Sequence, residues 1–285
     1  MSKKLILLDA YALIYRAHFA FIKNPRINSK GLNTSAIFGF CNSLLEVTNK
    51  FDPSHIGVVF DPPGGSDREG VFADYKANRQ EMPEDIRKAI PYIFDLLKAM
   101  NIKVEMEEGF EADDVIGTLA KQAEKKGFET YMMTPDKDFG QLVSDHIFIY
   151  KPGRSGNPSE ILGPKEVCEK FEVKDPLQVI DILGLWGDAV DNIPGVPGVG
   201  EKTAKKLIST YGSIENLIKN THDLKGKLKE NVENFAEQAI LSKQLATIIL
   251  DCPVGFEESE FSRKEVNEKE LIKIFQQLEF NQLGK

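Results

Sequence analysis

The chain has 285 residues, 41% of them hydrophobic, and carries 36 basic against 44 acidic side chains for a net charge of −8. That is enough apolar material for one large domain or two smaller ones, and taken alone the charge argues against a nucleic-acid binder unless basic and acidic residues are segregated. Three cysteines, Cys41, Cys168 and Cys252, odd in number and far apart, exclude a disulfide framework and a Cys-x-x-Cys zinc site and point to a reduced, cytosolic protein.

In chain order, the start Met1-Ser-Lys-Lys leads into an apolar run that Asp9 cuts off, too short for a signal peptide. No stretch is long enough to span a bilayer, so a soluble protein that is not exported is expected. Apolar runs near 4–8, 56–60, 102–106, 129–134 and 146–150 predict strands. Between them, 35–48 repeats Ile37, Cys41, Leu44, Leu45 and Thr48 at helical spacing, and 112–124 does so with Val115, Ile116, Leu119 and Ala123. Strands alternating with helices predict an α/β fold, a mainly parallel sheet covered on both faces.

Acids sit at or just beyond several of these strands. Asp9 follows Leu5–Leu8, Asp61 follows Ile56–Phe60, and Asp136-Lys-Asp138 follows Thr130–Thr134; Glu111-Ala-Asp113-Asp114 opens a predicted helix and Asp188-Ala-Val-Asp191 lies further on. Loops at the carboxyl ends of parallel strands are where ligands bind. Nine carboxylates gathered there repel one another unless cations neutralise them, which makes hard divalent ions the expected partner, Mg²⁺ above all. These nine also cover the whole negative excess, so what matters is the local distribution of charge.

Between Asp67 and Arg87, the residues Arg68, Phe72, Tyr75, Lys76 and Arg79 recur so that a helix would place them on one face. A face mixing cations and aromatics suits phosphate contact and base stacking. Pro83 and Pro91 punctuate the chain beyond Arg79. After Gly153–Pro158 the character changes, and from about residue 165 the sequence is almost wholly helix-forming, with turns at Gly195–Gly200, Tyr211-Gly212 and Thr221–Gly226. In the first of these turns Gly195, Gly198 and Gly200 precede Lys202, Thr203, Lys205 and Lys206, an arrangement that can grip a nucleic-acid backbone through N–H groups and ammonium charge without reading bases. Glu201 separates Gly200 from Lys202, so this is not a Walker loop.

The ordered set Leu8-Asp-Ala-Tyr-Ala-Leu-Ile-Tyr-Arg16, Phe60-Asp-Pro-Pro, Tyr75-Lys-Ala-Asn-Arg79, Met82-Pro-Glu-Asp85, Glu111-Ala-Asp-Asp-Val-Ile-Gly117, Thr134-Pro-Asp-Lys-Asp-Phe139 and Gly187–Val196 closely resembles the 5′ nuclease of bacterial DNA polymerase I, within the flap endonuclease family, over nearly the whole chain. The resemblance implies a PIN-like fold: an α/β core over 1–160 with a helical arch at about 66–92, and a helical subdomain over 161–285 that contributes Asp188 and Asp191 and a helix–hairpin–helix. It implies one metal position at Asp9, Asp61, Glu111 and Asp113, with Asp114, Asp136, Asp138, Asp188 and Asp191 near a second. Two Mg²⁺ ions are expected, with Mn²⁺ as a substitute, and K⁺ at the helix–hairpin–helix. Lys76 and Arg79 take the catalytic cation role. Arg16, Arg68 and Tyr75 join Lys76, Arg79 and the residues of the Gly195–Lys206 element as DNA contacts. The implied partner is nicked or branched duplex DNA with a 5′ flap, bound by a monomer in the bacterial cytoplasm at the nucleoid. The terminal helix and ending at Gln282-Leu-Gly-Lys285 lead us to expect one domain of a longer polymerase, with a free-standing nuclease as the alternative. One departure stands out: where the family usually has a serine between the last two acids, this chain has Ala189 and Val190, so the acids keep their spacing but a hydroxyl contact is lost. A phosphatase using Asp136 and Asp138, or a non-catalytic DNA-binding protein, would leave most of the acids without a role.

Overall fold

The computed structural model describes residues 3–153 and 158–280. The expected linker at Gly153–Pro158 falls partly outside them, and the terminal Gln282–Lys285 and Met1-Ser2 wholly so. The five apolar runs form a sheet because each can be buried on both faces, as a strand covered by helices requires. The chain runs β1 (Lys3–Asp9), α1 (Ala10–Ala20), α2 (Ser35–Phe51), β2 (His55–Val59), α3 (Arg68–Val71), α4 (Glu84–Ala99), β3 (Lys103–Glu105), α5 (Ala112–Lys125), β4 (Phe128–Met133), a 3₁₀ turn (Asp138–Leu142), β5 (Ile147–Lys151) and β6 (Glu160–Leu162). The strand order is β3-β2-β1-β4-β5-β6, parallel throughout except for β6.

Alternation along β1 divides the core. Leu5 and Leu7 pack on one side with Val115, Ile116 and Leu119 of α5, while Ile6 and Leu8 pack on the other with Ile37 and Phe40 of α2 and Ile93 and Leu97 of α4. Each such side chain contributes roughly 1.5–3 kcal/mol when fully buried. A one-residue slip of β1 would exchange the two sets and so is strongly disfavoured.

The remaining helices are α6 (Pro164–Phe171), α7 (Gln178–Trp186), α8 (Glu201–Tyr211), α9 (Ile214–Lys219), α10 (Gly226–Asn234), α11 (Ala236–Ala246), α12 (Glu258–Phe261) and α13 (Glu268–Leu278). Helices α6–α11 extend the core on the α5 side through Val167, Val179, Ile182, Leu207 and Leu245. Of the last two, α12 stays on that side through Phe261 and α13 does not. Phe261 of α12 lies over β2 at Gly57, where a Cβ would meet its ring at 2.6 Å, and Leu271 and Leu278 of α13 join the α2–α4 side. Among the described residues no helix is long and apolar enough to cross a membrane.

The expected helix carrying Arg68, Phe72, Tyr75, Lys76 and Arg79 on one face is absent. Only Arg68–Val71 is helical; turns succeed it, and Lys76 itself has φ 56°, which ends any helical continuation. The helical part of the 66–92 segment is instead the start of α4, which runs through Pro91. Pro91 lies on its exposed side, opposite the buried Ile86, Ala89 and Ile93.

Candidate metal and nucleic-acid site

Strand order reverses between β1 and β4, and the carboxyl ends of these strands open a crevice. Asp9, the last residue of β1, caps α1 by accepting from the Ala12 amide (3.2 Å) and also accepts from Thr134 Oγ1 (3.0 Å) at the end of β4. Asp61, just past β2, accepts from the Ala112 amide at 2.9 Å and so faces the start of α5. Glu111 is the residue at which α5 begins, and Asp113 stands in its first turn. Two strand ends and one helix start therefore carry these four acids into the same region.

The other acids come from two turns. Asp136 accepts from the Asp138 amide (3.0 Å), while its own amide donates to Thr134 Oγ1 (3.2 Å). Asp188 and Asp191 sit on a hairpin closed by reciprocal bonds between Asp188 and Ile193. Gly187 and Gly195 make that closure possible: both have positive φ, and a Cβ on either would stand 2.5 Å from backbone atoms of the facing strand. Ala189 and Val190 offer the acids only backbone, the Val190 amide donating to Asp188 Oδ1 at 2.7 Å.

Crowding shows in the proton affinities. Burial, then the neighbouring charges of Asp61 and Asp136, pushes Asp9 up to about 7. Burial and Asp136 push Asp138 up to about 8. Burial raises Asp61, and burial with Asp114 and Glu111 raises Asp113 well above the carboxylate range. Glu111 goes the other way: burial opposes it, but the Lys76 and Arg68 charges hold it below its ordinary value.

Cations lie directly on these acids. Lys76 Nζ donates to Glu111 Oε2 at 2.7 Å and Tyr75 Oη to the same oxygen at 3.1 Å. Arg79 bonds Asp191 Oδ1 at 2.5 Å. Lys137, which residue spacing does not single out, bonds Asp188 and lies over the Trp186 ring. The loop carrying Lys76 is tied to the acid hairpin by the Lys76 amide to Asp191 O (2.9 Å), Asn78 to Ala189 O (2.7 Å) and Asn192 to Asp74 O (2.6 Å).

Three sequence expectations change here. Asp114 is fully buried and makes a bidentate pair with Arg68 (2.6 and 2.7 Å), while also accepting from the Ile249 and Glu111 amides. As the side chains stand, both its oxygens are taken by Arg68 and backbone amides. Arg68, 6% exposed, is its counter-ion and not a DNA contact. Tyr75, 4% exposed with its ring in the core, is likewise not available for base stacking as it stands.

The donor set is all oxygen, as Mg²⁺ prefers, and buried Asp138 Oδ1 has no hydrogen-bond partner. The nearest positive charge to it is Lys137 Nζ at 3.6 Å, beyond hydrogen-bond reach, and a metal ion would offset the cost of its burial more closely. Among the described residues no three acids converge closely enough to hold an ion as the side chains stand. Mutual repulsion and the ammonium groups of Lys76 and Lys137 account for that spread.

At the glycine turn, Gly198 and Gly200 are exposed and Lys202 and Lys206 project from the first turns of α8, with Thr203 half-buried between them. Gly195 differs. Its amide donates to Ser242 Oγ and its carbonyl accepts from Gln238, so its backbone is used internally and closed to a phosphate. Lys205 is held by Glu201 (2.8 Å) and by the Lys170 carbonyl (2.8 Å). Arg16, on α1, donates to the carbonyls of Pro152 and Gly153 beside a hollow lined by Tyr15, Phe19 and Lys151.

With this geometry in view, the family described as 5′-3′ exonuclease, N-terminal resolvase-like domain, matches residues 4–172, and the 5′-3′ exonuclease, C-terminal SAM fold, matches residues 174–269. DNA polymerase I of Bacillus subtilis (strain 168) is 42% identical over 99% of this chain, which spans 32% of that protein. A 5′-3′ exonuclease of Aquifex aeolicus is 36% identical over 99% of this chain and 94% of its own length. The chain thus spans about a third of its polymerase relatives and nearly all of the exonuclease. Among solved structures, T5 5′-exonuclease with bound zinc ions superposes with a TM-score of 0.73 at 19% identity, covering 98% of this chain and 99% of that one. The catalytic core of Rad2 in complex with DNA substrate gives 0.66 at 17%, covering 97% and 88%. Both share the fold.

Proposed function

Because this chain belongs to the 5′-3′ exonuclease family, we propose that it is a divalent-metal-dependent, structure-selective 5′ nuclease that hydrolyses DNA phosphodiesters at or near a 5′ flap, leaving a 5′-phosphate and a 3′-hydroxyl. The observation that carries this reading is the crevice at the β1–β4 reversal, where buried acids are pushed towards protonation and one carboxylate oxygen of Asp138 accepts no hydrogen bond. Asp9, Asp61, Glu111 and Asp113 would hold one Mg²⁺, and Asp136, Asp138, Asp188 and Asp191 a second. When bound, such ions supply Lewis-acid stabilisation of phosphate charge and lower the pKa of an attacking water.

The chain's own groups do the rest. Lys76 and Arg79 would exchange Glu111 and Asp191 for the phosphodiester and neutralise charge that builds on it. The Gly198–Lys206 element, with Lys202 and Lys206 outermost, would hold the duplex through its backbone, and Arg16 would meet the strand at the mouth of the crevice. In keeping with the relatives, the substrate would be nicked or branched duplex DNA, in replication or repair, and the chain would act either alone or as the leading part of a polymerase in the bacterial cytoplasm. K⁺ at the glycine turn belongs to the same proposal.

A 5′-labelled flap, its 3′-flap counterpart, and a 5′ flap blocked by a protein adduct test the reading in one assay. Cleavage of the free 5′ flap alone is expected, and equal rates on 5′ and 3′ flaps contradict the assigned polarity.

A further inference from the structure

Between the two groups of acids lies Leu245–Ile249, the last two residues of α11 and the three that follow it, none of them in a strand. Several of its backbone groups are satisfied by side chains that reach it from two edges. On one edge Leu245 O and Thr247 O accept from Arg68 Nε (3.2 Å) and Nη2 (2.9 Å), and the Ile249 amide donates to Asp114 Oδ1 (2.7 Å). On the other, Ala246 O accepts from Gln141 Nε2 (2.9 Å) and the Ile248 amide donates to Gln141 Oε1 (2.9 Å). Gln141 Nε2 also donates to the carbonyl of Asp138 at 3.0 Å. Arg68 and Asp114 belong to the Glu111–Asp113 end of the site, and Gln141 to the 3₁₀ turn that carries Asp138.

Asp138 needs such a brace. Its Oδ1 accepts no hydrogen bond and has the Lys137 ammonium only at 3.6 Å, the charges of Asp136, Asp188 and Asp191 press on it, and a 3₁₀ turn is weakly bonded in its own right. Gln141, 4% exposed, uses both donor and acceptor ends of its amide on this one task. We propose that Gln141 is a positioning residue for DNA cleavage: through the Leu245–Ile249 segment it fixes Asp138 relative to Glu111 and Asp113, and so sets the spacing of the two divalent ions. This rests on the two-ion reading above.

The test uses the full chain with Mn²⁺, whose paired ions give a distance-dependent coupling in electron paramagnetic resonance. Gln141→Met keeps the volume and removes the bonds. It is expected to weaken or abolish the coupling, to slow single-turnover flap cleavage at saturating Mg²⁺ at least tenfold, and to leave DNA affinity in Ca²⁺ within twofold. Thr118→Val is the control. Thr118 Oγ1 donates to the Ile249 carbonyl and accepts from the Cys252 amide, both at 3.3 Å, so it ties the far end of the segment without touching the Asp138 turn. At a comparable loss of thermal stability it should keep both coupling and rate. If Gln141→Met unfolds, Gln141→Asn, which keeps the amide but shortens its reach, is judged by the same criteria. Unchanged coupling and rate in the Gln141 variant, or equal losses in the Thr118 variant, overturn the proposal. A wild-type protein that shows no Mn²⁺ pair overturns the two-ion reading, and this proposal with it.

Discussion

Asp9 and Asp61 stand at the ends of central parallel strands, whereas Asp188 and Asp191 stand on a hairpin whose shape depends on Gly187 and Gly195 passing back to back. The first pair inherits its position from the sheet: moving it would move Leu5–Leu8 or Ile56–Val59 in a fully packed core. The second pair is held by the reciprocal Asp188–Ile193 bonds, the α11 contacts to Gly195, hydrogen bonds to the Lys76 loop, and cations supplied by other loops. The proposed centre would therefore combine a rigid half and a tied half. Loss of charge should damage both alike, while loss of a tie should damage only the second.

The largest effect expected is chemical and falls on both halves. Asp113→Asn or Asp136→Asn should lower flap cleavage by about a thousandfold or more. DNA affinity, measured by fluorescence anisotropy, should persist or rise, since a negative charge near phosphate is removed. Comparable cleavage by either variant would break the claim that the two halves form one centre.

Next come the cations. Lys76→Ala should slow single-turnover cleavage by about a hundredfold, more than it weakens binding. A loss confined to affinity would make the Lys76 loop a clamp with no part in the chemistry.

Gly187→Ala sharpens the contrast between the halves. With φ 77° and a Cβ placed 2.5 Å from Ile193 O, it should cost about 1–3 kcal/mol in chemical denaturation and disturb Asp188 and Asp191 while the sheet-end acids keep their environment. Unaltered stability would mean that the hairpin adapts freely.

The pH dependence of stability reads the crowding itself. Asp9 and Asp138 are raised from 3.8 to about 7 and about 8, so between those values the folded chain holds protons that the unfolded chain has released. The contribution of these two acids to stability without divalent ions should thus be full below 3.8 and be lost as pH rises through about 7 and about 8. Glu111, held below its ordinary 4.5, contributes in the opposite sense: its share is present above 4.5 and is lost as pH falls through its lowered value. Mg²⁺ should flatten the decline in a thermal-shift series; a profile that is already flat without it would contradict the crowding.

The smallest effect lies outside both halves. Lys202→Ala should weaken binding at all sequences and reduce the salt slope by about one unit, with the cleavage rate at saturation unchanged.

Legibility in the sequence divides along the same line. Strands with fully buried apolar runs, ending in acids, were legible because burial on both faces leaves a signal in each run; Glu111–Asp114 was legible as a helix start because charges favour that position. The three-residue β6 was too short to leave a pattern. The Arg68–Arg79 spacing fits a helix face equally well, yet its partners are tertiary: Arg68 turns inward to Asp114, Tyr75 and Lys76 meet at Glu111, and the chain turns at Lys76 to allow it. Lys137 and Gln141 lay inside or beside a recognised motif, but nothing in spacing distinguishes a lysine that faces acids from one that faces water, or a glutamine that braces a turn from a surface amide. Gly195 looked like a phosphate-facing turn residue because its need for positive φ is the same whether the backbone faces DNA or Ser242.

The central claim is that these acids form one divalent-metal centre for 5′ flap hydrolysis. Single-turnover cleavage of a 5′ flap in excess chelator, then with Mg²⁺ restored, tests it most directly. No cleavage in chelator and recovery on adding Mg²⁺ is the predicted result; cleavage that continues in excess chelator would contradict it.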